Sequence, residues 1–144
     1  MSETLYAAFE RTARAHPRLA FLHVPAASLG ASVASAFDAT YAEALAQVEA
    51  LAARYRARGY GPGHRVALLL ENRPEFLLHY LALNAVGSSA VPLNPDYRAS
   101  ELAYVLGHSE AALAVALPAH APRLTELGLP VAVADAAFDP PAAA

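Results

Sequence analysis

The feature that most constrains this chain is a rhythm between residues 66 and 117, where three short apolar runs are separated by stretches of helical character. Val66 to Leu70 is apolar at every position and lies between turn signals. That is the pattern of a strand buried on both faces of a parallel sheet. Asn72-Arg73-Pro74-Glu75 then predicts a helix start, with Asn72 as N-cap, Pro74 in the first turn and Glu75 facing the positive end of the helix dipole. Phe76, Leu77, Leu78, Tyr80, Leu81, Leu83 and Val86 nearly encircle this helix, so it should be largely buried, and Asn84 to Ser89 reads as its end and a turn. Ser89 to Leu93 is a second strand, Arg98 to about Gly107 a helix with Leu102, Val105 and Leu106 inward, and Leu113 to Leu117 a third strand. Pro122 to Leu127 and Pro130 to Ala134 read as one further helix and strand. Such alternation with short connections implies right-handed crossovers: an α/β fold with an open, mainly parallel sheet and helices on both faces.

The preceding residues read differently. Residues 2 to 16 suit a surface helix with Ser2 as N-cap and Leu5, Phe9, Thr12 and Ala13 on one face, closed by Pro17. Leu19 to Val24 and Ala34 to Ala39 read as a hairpin-like strand pair around a small-residue loop, Pro25 to Ser32. Thr40-Tyr41-Ala42-Glu43 matches a capping box, and a helix from Tyr41 to about Arg58 follows, with Leu45, Val48, Leu51, Ala52 and Tyr55 at helical spacing. Arg54, Arg56 and Arg58 then compensate the negative helix end, and Gly59 can terminate it in the left-handed conformation. Residues 1–134 thus form one subdomain, and residues 135–144, Asp135 to Ala144, read as a linker.

Composition removes several kinds of chemistry. The chain of 144 residues is 56% hydrophobic, enough for one compact domain. All ten basic residues are arginine, so a Walker-type phosphate loop and a Schiff-base lysine are excluded. Without cysteine there is no thiol catalysis, thiolate metal site or disulfide. A formal charge of -3 supplies no broad footprint for nucleic acid or an anionic membrane. The amino terminus lacks a basic segment leading into an apolar run, which makes a cytoplasmic location the expectation. Phe76 to Leu93 carries no Asp, Glu, Lys or Arg, but His79, Asn84, Gly87, Ser88, Ser89 and Pro92 interrupt it, against a membrane span.

In open parallel sheets ligands sit beyond the carboxyl ends of the strands, which directs attention to Glu71-Asn72-Arg73 and Asn94-Pro95-Asp96. Helix capping accounts for Asn72 and Asp96 more simply than ligand binding does. Arg98, near a helix start, is a possible anion contact, although a solvated arginine needs no further explanation. Gly59, Gly61 and Gly63 follow a helix and precede a strand, the reverse of a dinucleotide fingerprint. None of the six histidines pairs with another at ligand spacing, so no metal site is expected, and His79 reads as a hydrogen-bonded core histidine. No Gly-x-Ser-x-Gly elbow occurs. These residues imply no catalytic centre.

Gly61-Pro62-Gly63-His64-Arg65-Val66-Ala67-Leu68, Glu71-Asn72-Arg73-Pro74-Glu75-Phe76, Leu81-Ala82-Leu83-Asn84-Ala85-Val86-Gly87, Ala90-Val91-Pro92-Leu93-Asn94-Pro95 and Glu101-Leu102-Ala103-Tyr104 follow the capping box in order. Over about residues 4 to 117 this set resembles the amino-terminal part of AMP-forming acyl-CoA synthetases. The resemblance implies a Rossmann-like subdomain of a ligase that uses ATP, Mg and CoA: a carboxylic acid becomes an acyl-adenylate, and the CoA thiol then displaces AMP. In that family the phosphate loop, the adenine, ribose and Mg ligands and the catalytic lysine all come after such a segment. The piece alone is therefore expected to be catalytically silent and to bind no cofactor itself, its partners being the rest of the ligase and, there, the acid substrate. An apolar face left by missing segments would favour self-association.

Two positions depart from the family pattern. His64 stands where an Asp is usual, and Asp96 where many relatives carry a basic residue near the CoA nucleotide, which leaves Arg98 as the nearest replacement at the CoA rim. Gly87 to Pro95 also departs from the Gly-Gly-Ala-Tyr-Val-Pro-Leu-Asp-Pro of related peptide-synthetase domains, which favours a CoA ligase. The alternative is a free-standing binding or dimerisation module with the same fold.

Overall fold

A computed structural model describes residues 3–29 and 36–144. Its element order is α1 (Leu5–Ala15), β1 (Ala20–Val24), α2 (Ala26–Leu29), β2 (Phe37–Thr40), α3 (Tyr41–Ala57), β3 (Arg65–Leu69), α4 (Pro74–Val86), β4 (Ser89–Pro92), α5 (Ala99–Ser109), β5 (Leu113–Ala116), α6 (Ala121–Thr125) and β6 (Val131–Val133). The last four strands form one sheet in the order β4-β3-β5-β6, every pair parallel. Between β3 and β5 Val66 lies opposite Leu113 and Leu68 opposite Val115.

Strand alternation sorts the core into two layers. Val66, Leu68, Leu113 and Val115 point to the side covered by α1, α3 and α4. Ala67, Leu69, Ala114 and Ala116 point to the side covered by α5 and α6. All eight are fully buried, which is why these strands carry no polar alternation. The expected α/β architecture is present, with helices on both faces. The capping box of α3 is also present: Thr40 Oγ1 accepts from Glu43 N–H at 3.2 Å and Glu43 Oε1 from Thr40 N–H at 2.9 Å.

Several local expectations are corrected. Thr4, not Ser2, caps α1, its hydroxyl accepting from Ala7 N–H; Ser2 lies outside the described residues. Leu5 remains 52% exposed while Phe9 and Ala13 carry the buried stripe. The hairpin is present as the antiparallel pair β1–β2, but β2 begins at Phe37, and α2 occupies part of the anticipated loop. The remainder of that loop and the expected strand start at Ala34 lie outside the described residues. Asn72 does not cap α4. Glu71 adopts a left-handed conformation, φ 57°, and the turn it makes delivers Arg73 to the extended N-cap position without a side-chain cap. Asp96 is likewise no helix cap, because Asn94 Oδ1 accepts its N–H at 2.9 Å and closes a turn; Arg98 is the N-cap of α5, with Glu101 reaching back to its N–H.

Gly87 ends α4 at φ 84°, where a Cβ would lie 3.1 Å from Pro62 Cγ, so both backbone angle and close packing require glycine. Residues 135–144 hold neither helix nor strand, yet they are docked. Phe138 and Pro140 are buried, Asp139 accepts from Nε and Nη2 of Arg58, and Ala143 N–H donates to the Arg58 carbonyl. Arg54 and Arg58, expected to serve the dipole of α3, thus also clasp this closing stretch, since Arg54 donates to the Phe138 carbonyl.

Candidate functional site

The carboxyl ends of β3, β4 and β5 feed three loops that meet beside a cavity of about 900 Å³. Its walls include Glu71, Asn72 and Arg73 after β3 and Asn94, Asp96 and Tyr97 after β4, so both tripeptides singled out beyond the strand ends reach it. The loop after β5 ties the other two together. His120 Nε2 lies 2.6 Å from Glu71 Oε2, and Arg123, one helical turn later, lies 3.4 Å from His120 Nδ1. A guanidinium only donates, so Nδ1 is the acceptor and the Nε2–H donates to Glu71. Arg123 also donates to the carbonyls of Pro95, at 3.0 Å, and Tyr97. The left-handed Glu71 backbone is therefore held from its side-chain end by a residue of another loop.

The cations here are committed. Arg73 donates to the Leu29 carbonyl at 2.7 Å and pairs with Glu75, and Arg123 braces the β4–α5 loop. Arg98 differs: it is exposed at the start of α5, is not among the residues that line the cavity, and its guanidinium has no partner among the described residues. Among the same residues no three His, Asp or Glu side chains converge as a metal site. The edge can hold and shape a polar molecule, but among the described residues no nucleophile is hydrogen-bonded to a base along it.

His79 lies elsewhere on α4, between Tyr55 of α3 and Phe138, and is 3% exposed. Its Nδ1 is 2.8 Å from the Tyr55 hydroxyl, and its ring meets Phe138 edge-on with centroids 4.7 Å apart. Burial pushes its pKa down to about 4 and raises that of Tyr55, because neither charge can be solvated there. It is the hydrogen-bonded core histidine that the sequence implies. His64, at the position where Asp is usual, keeps a local bond: its Nδ1 accepts from Gly61 N–H at 3.2 Å. Sequence reasoning missed the roles of His120 and Arg123. Only their i, i+3 spacing was visible, and their partners Glu71, Pro95 and Tyr97 are 26 to 49 residues away.

The fold of this parallel sheet and its helices is shared with a solved Rhodopseudomonas palustris protein provisionally assigned as a long-chain-fatty-acid CoA ligase, at a TM-score of 0.79 and 24% identity over 97% of this chain and 35% of that one. Among curated proteins, feruloyl-CoA synthase of an Amycolatopsis species is 37% identical over 108 residues, 71% of this chain and 22% of that protein. A nonribosomal peptide synthetase of Neosartorya fischeri is 35% identical over 94 residues, 65% of this chain and 4% of the synthetase. The chain thus spans a quarter or less of these curated relatives. Residues 9–142 match the AMP-binding enzyme family, and the chain belongs to it. No helix among the described residues is long and apolar enough to cross a membrane.

Proposed function

We propose that this chain is the amino-terminal scaffold of an AMP-forming acyl-CoA synthetase, in which it supports the ligase without supplying reacting groups. The observation that carries this reading is the cavity edge itself, where a left-handed glutamate, a histidine and an arginine brace three loops while, among the described residues, no base is hydrogen-bonded to a nucleophile. The residues fit poorly as a triphosphate site: the chain has no lysine, and Arg73 and Arg123 are engaged by backbone carbonyls. ATP and Mg are therefore assigned to other parts of the ligase. Arg98, exposed and without a side-chain partner among the described residues, suits a phosphate of CoA at the rim of its entrance.

CoA is preferred over a peptide-synthetase carrier for two reasons. The feruloyl-CoA synthase match covers more of this chain than the peptide-synthetase match, and Gly87 to Pro95 lacks the Ala-Tyr-Val-Pro-Leu-Asp-Pro sequence of the latter class. The test is acid-dependent exchange of pyrophosphate into ATP by the native gene product, followed by thioester formation with CoA. Exchange with CoA thioester formation is expected. Exchange that leaves CoA unconsumed overturns the CoA assignment, and no exchange with any of a panel of fatty and aromatic acids overturns the ligase reading. The same reading places the chain in the cytoplasm and has it self-associate when isolated. A strictly monomeric 144-residue chain in light scattering at high concentration would contradict the second expectation.

A further inference from the structure

A second cavity, of about 330 Å³, lies between α3, α4 and the stretch 134–138 and shares no lining residue with the first. We propose that it binds a small neutral aromatic molecule carrying one hydroxyl or carbonyl, held by a hydrogen bond to Nε2 of His79. Phe37, Leu51, Leu78 and Phe138 give it an apolar lining, with His79 as the buried polar group. The only hydrogen bond His79 makes among the described residues uses Nδ1, toward Tyr55. No fully enclosed side-chain nitrogen or oxygen is left without a partner. Nε2, without a partner among the described residues, is therefore not fully enclosed, and the cavity that His79 lines gives a guest access to it, on a side chain 3% exposed.

The chemistry of the ligand follows from its surroundings. Of the charged groups in the lining, Glu75 is paired with Arg73, Arg54 donates to the Phe138 carbonyl and Asp135 accepts from Ala137 N–H, and a charged guest placed against the buried His79 would lose more hydration than a neutral one. Burial keeps the imidazole neutral at pH 7. A neutral imidazole paired with a phenol can present either a donor or an acceptor at Nε2, according to tautomer, and so accepts a hydroxyl or a carbonyl. The size is at the low end of ligand pockets, roughly 300–1,000 Å³, which suits one ring and excludes a nucleotide. The two aromatic rings in the lining, Phe37 and Phe138, favour an aromatic guest over an alkyl chain of equal size.

The test compares p-cresol with toluene on the 144-residue chain, following the His79 imidazole nitrogens by NMR. The expected result is a saturable shift of Nε2 with p-cresol and affinity about tenfold above that for toluene, the equivalent of one net hydrogen bond. Leu51→Trp fills the cavity while leaving Tyr55 and His79 themselves unchanged and should weaken p-cresol binding by about tenfold or more. If that variant fails to fold, Ala50→Phe at the exposed rim serves the same purpose. Absence of a shift, equal affinity for the two probes, or binding undiminished by the occluding variant would each overturn the proposal.

Discussion

The parallel sheet and the β1–β2 hairpin are built from equally short strands, yet their burial is opposite. Every residue from Val66 to Leu69 and from Leu113 to Ala116 is fully buried, whereas β1 contains no buried residue and β2 only Ala39. The sheet is covered on both sides. The hairpin is fastened mainly through Phe21, which sits 4.9 Å from both Phe9 and Tyr41. Two-sided burial makes β3 and β5 part of the global fold, while the hairpin, docked through Phe21, Phe37 and Ala39, can open locally. The difference shows where stability resides and which region function can afford to move.

The largest effect should come from Leu68→Ala, which leaves a cavity in the centre of the sheet and should cost about 3–5 kcal/mol in denaturant unfolding. A loss below about 1 kcal/mol would erase the contrast between the two regions. His79 sharpens it from the helical side. An unfolded histidine takes a proton near pH 6.5, the folded one only near 4, so its contribution is complete above 6.5 and is lost as pH falls toward 4. At about 1.4 kcal/mol per pH unit this amounts to about 3 kcal/mol, visible as a fall in melting temperature that His79→Gln should flatten. At the junction of hairpin and α3, Thr40→Ala removes one side of the capping box and should cost about 1 kcal/mol. His23→Ala, which removes the exposed cross-strand pair with Asp38, should change stability by less than about 0.5 kcal/mol. A larger loss would mean that the hairpin is bound more tightly than its burial shows.

The same contrast explains what could be read in advance. Continuous apolar runs between turn signals located β3 and β5, because burial on both faces leaves no other pattern for those residues, and the same signal found β4, an edge strand with no buried residue. Thr40 and Glu43 announced the start of α3, because a capping box is local in sequence. Asn72 and Asp96 misled for the converse reason: both are good N-caps by type, but the left-handed turn at Glu71 makes Arg73 the N-cap of α4, and Asp96 belongs to the turn closed by Asn94 while Arg98, the expected start of the second helix, caps α5. At the candidate site the two loop tripeptides were legible from topology, since strand ends define the crevice. The brace of His120 and Arg123 was not, because it exists only once β5 lies beside β3. The docking of Phe138 was hidden too, as Pro and Ala around it resemble a linker until α3 and α4 offer it a groove.

The central claim is that these residues build and brace a ligase scaffold while the nucleotide chemistry is supplied by other residues of the enzyme. Calorimetric titration of the 144-residue chain with MgATP and then with CoA tests it most directly. The account predicts no heat of binding for MgATP and only weak, salt-sensitive heat for CoA that disappears in Arg98→Ala. Saturable MgATP binding in the micromolar range would contradict it, because a complete nucleotide site would then lie within this chain.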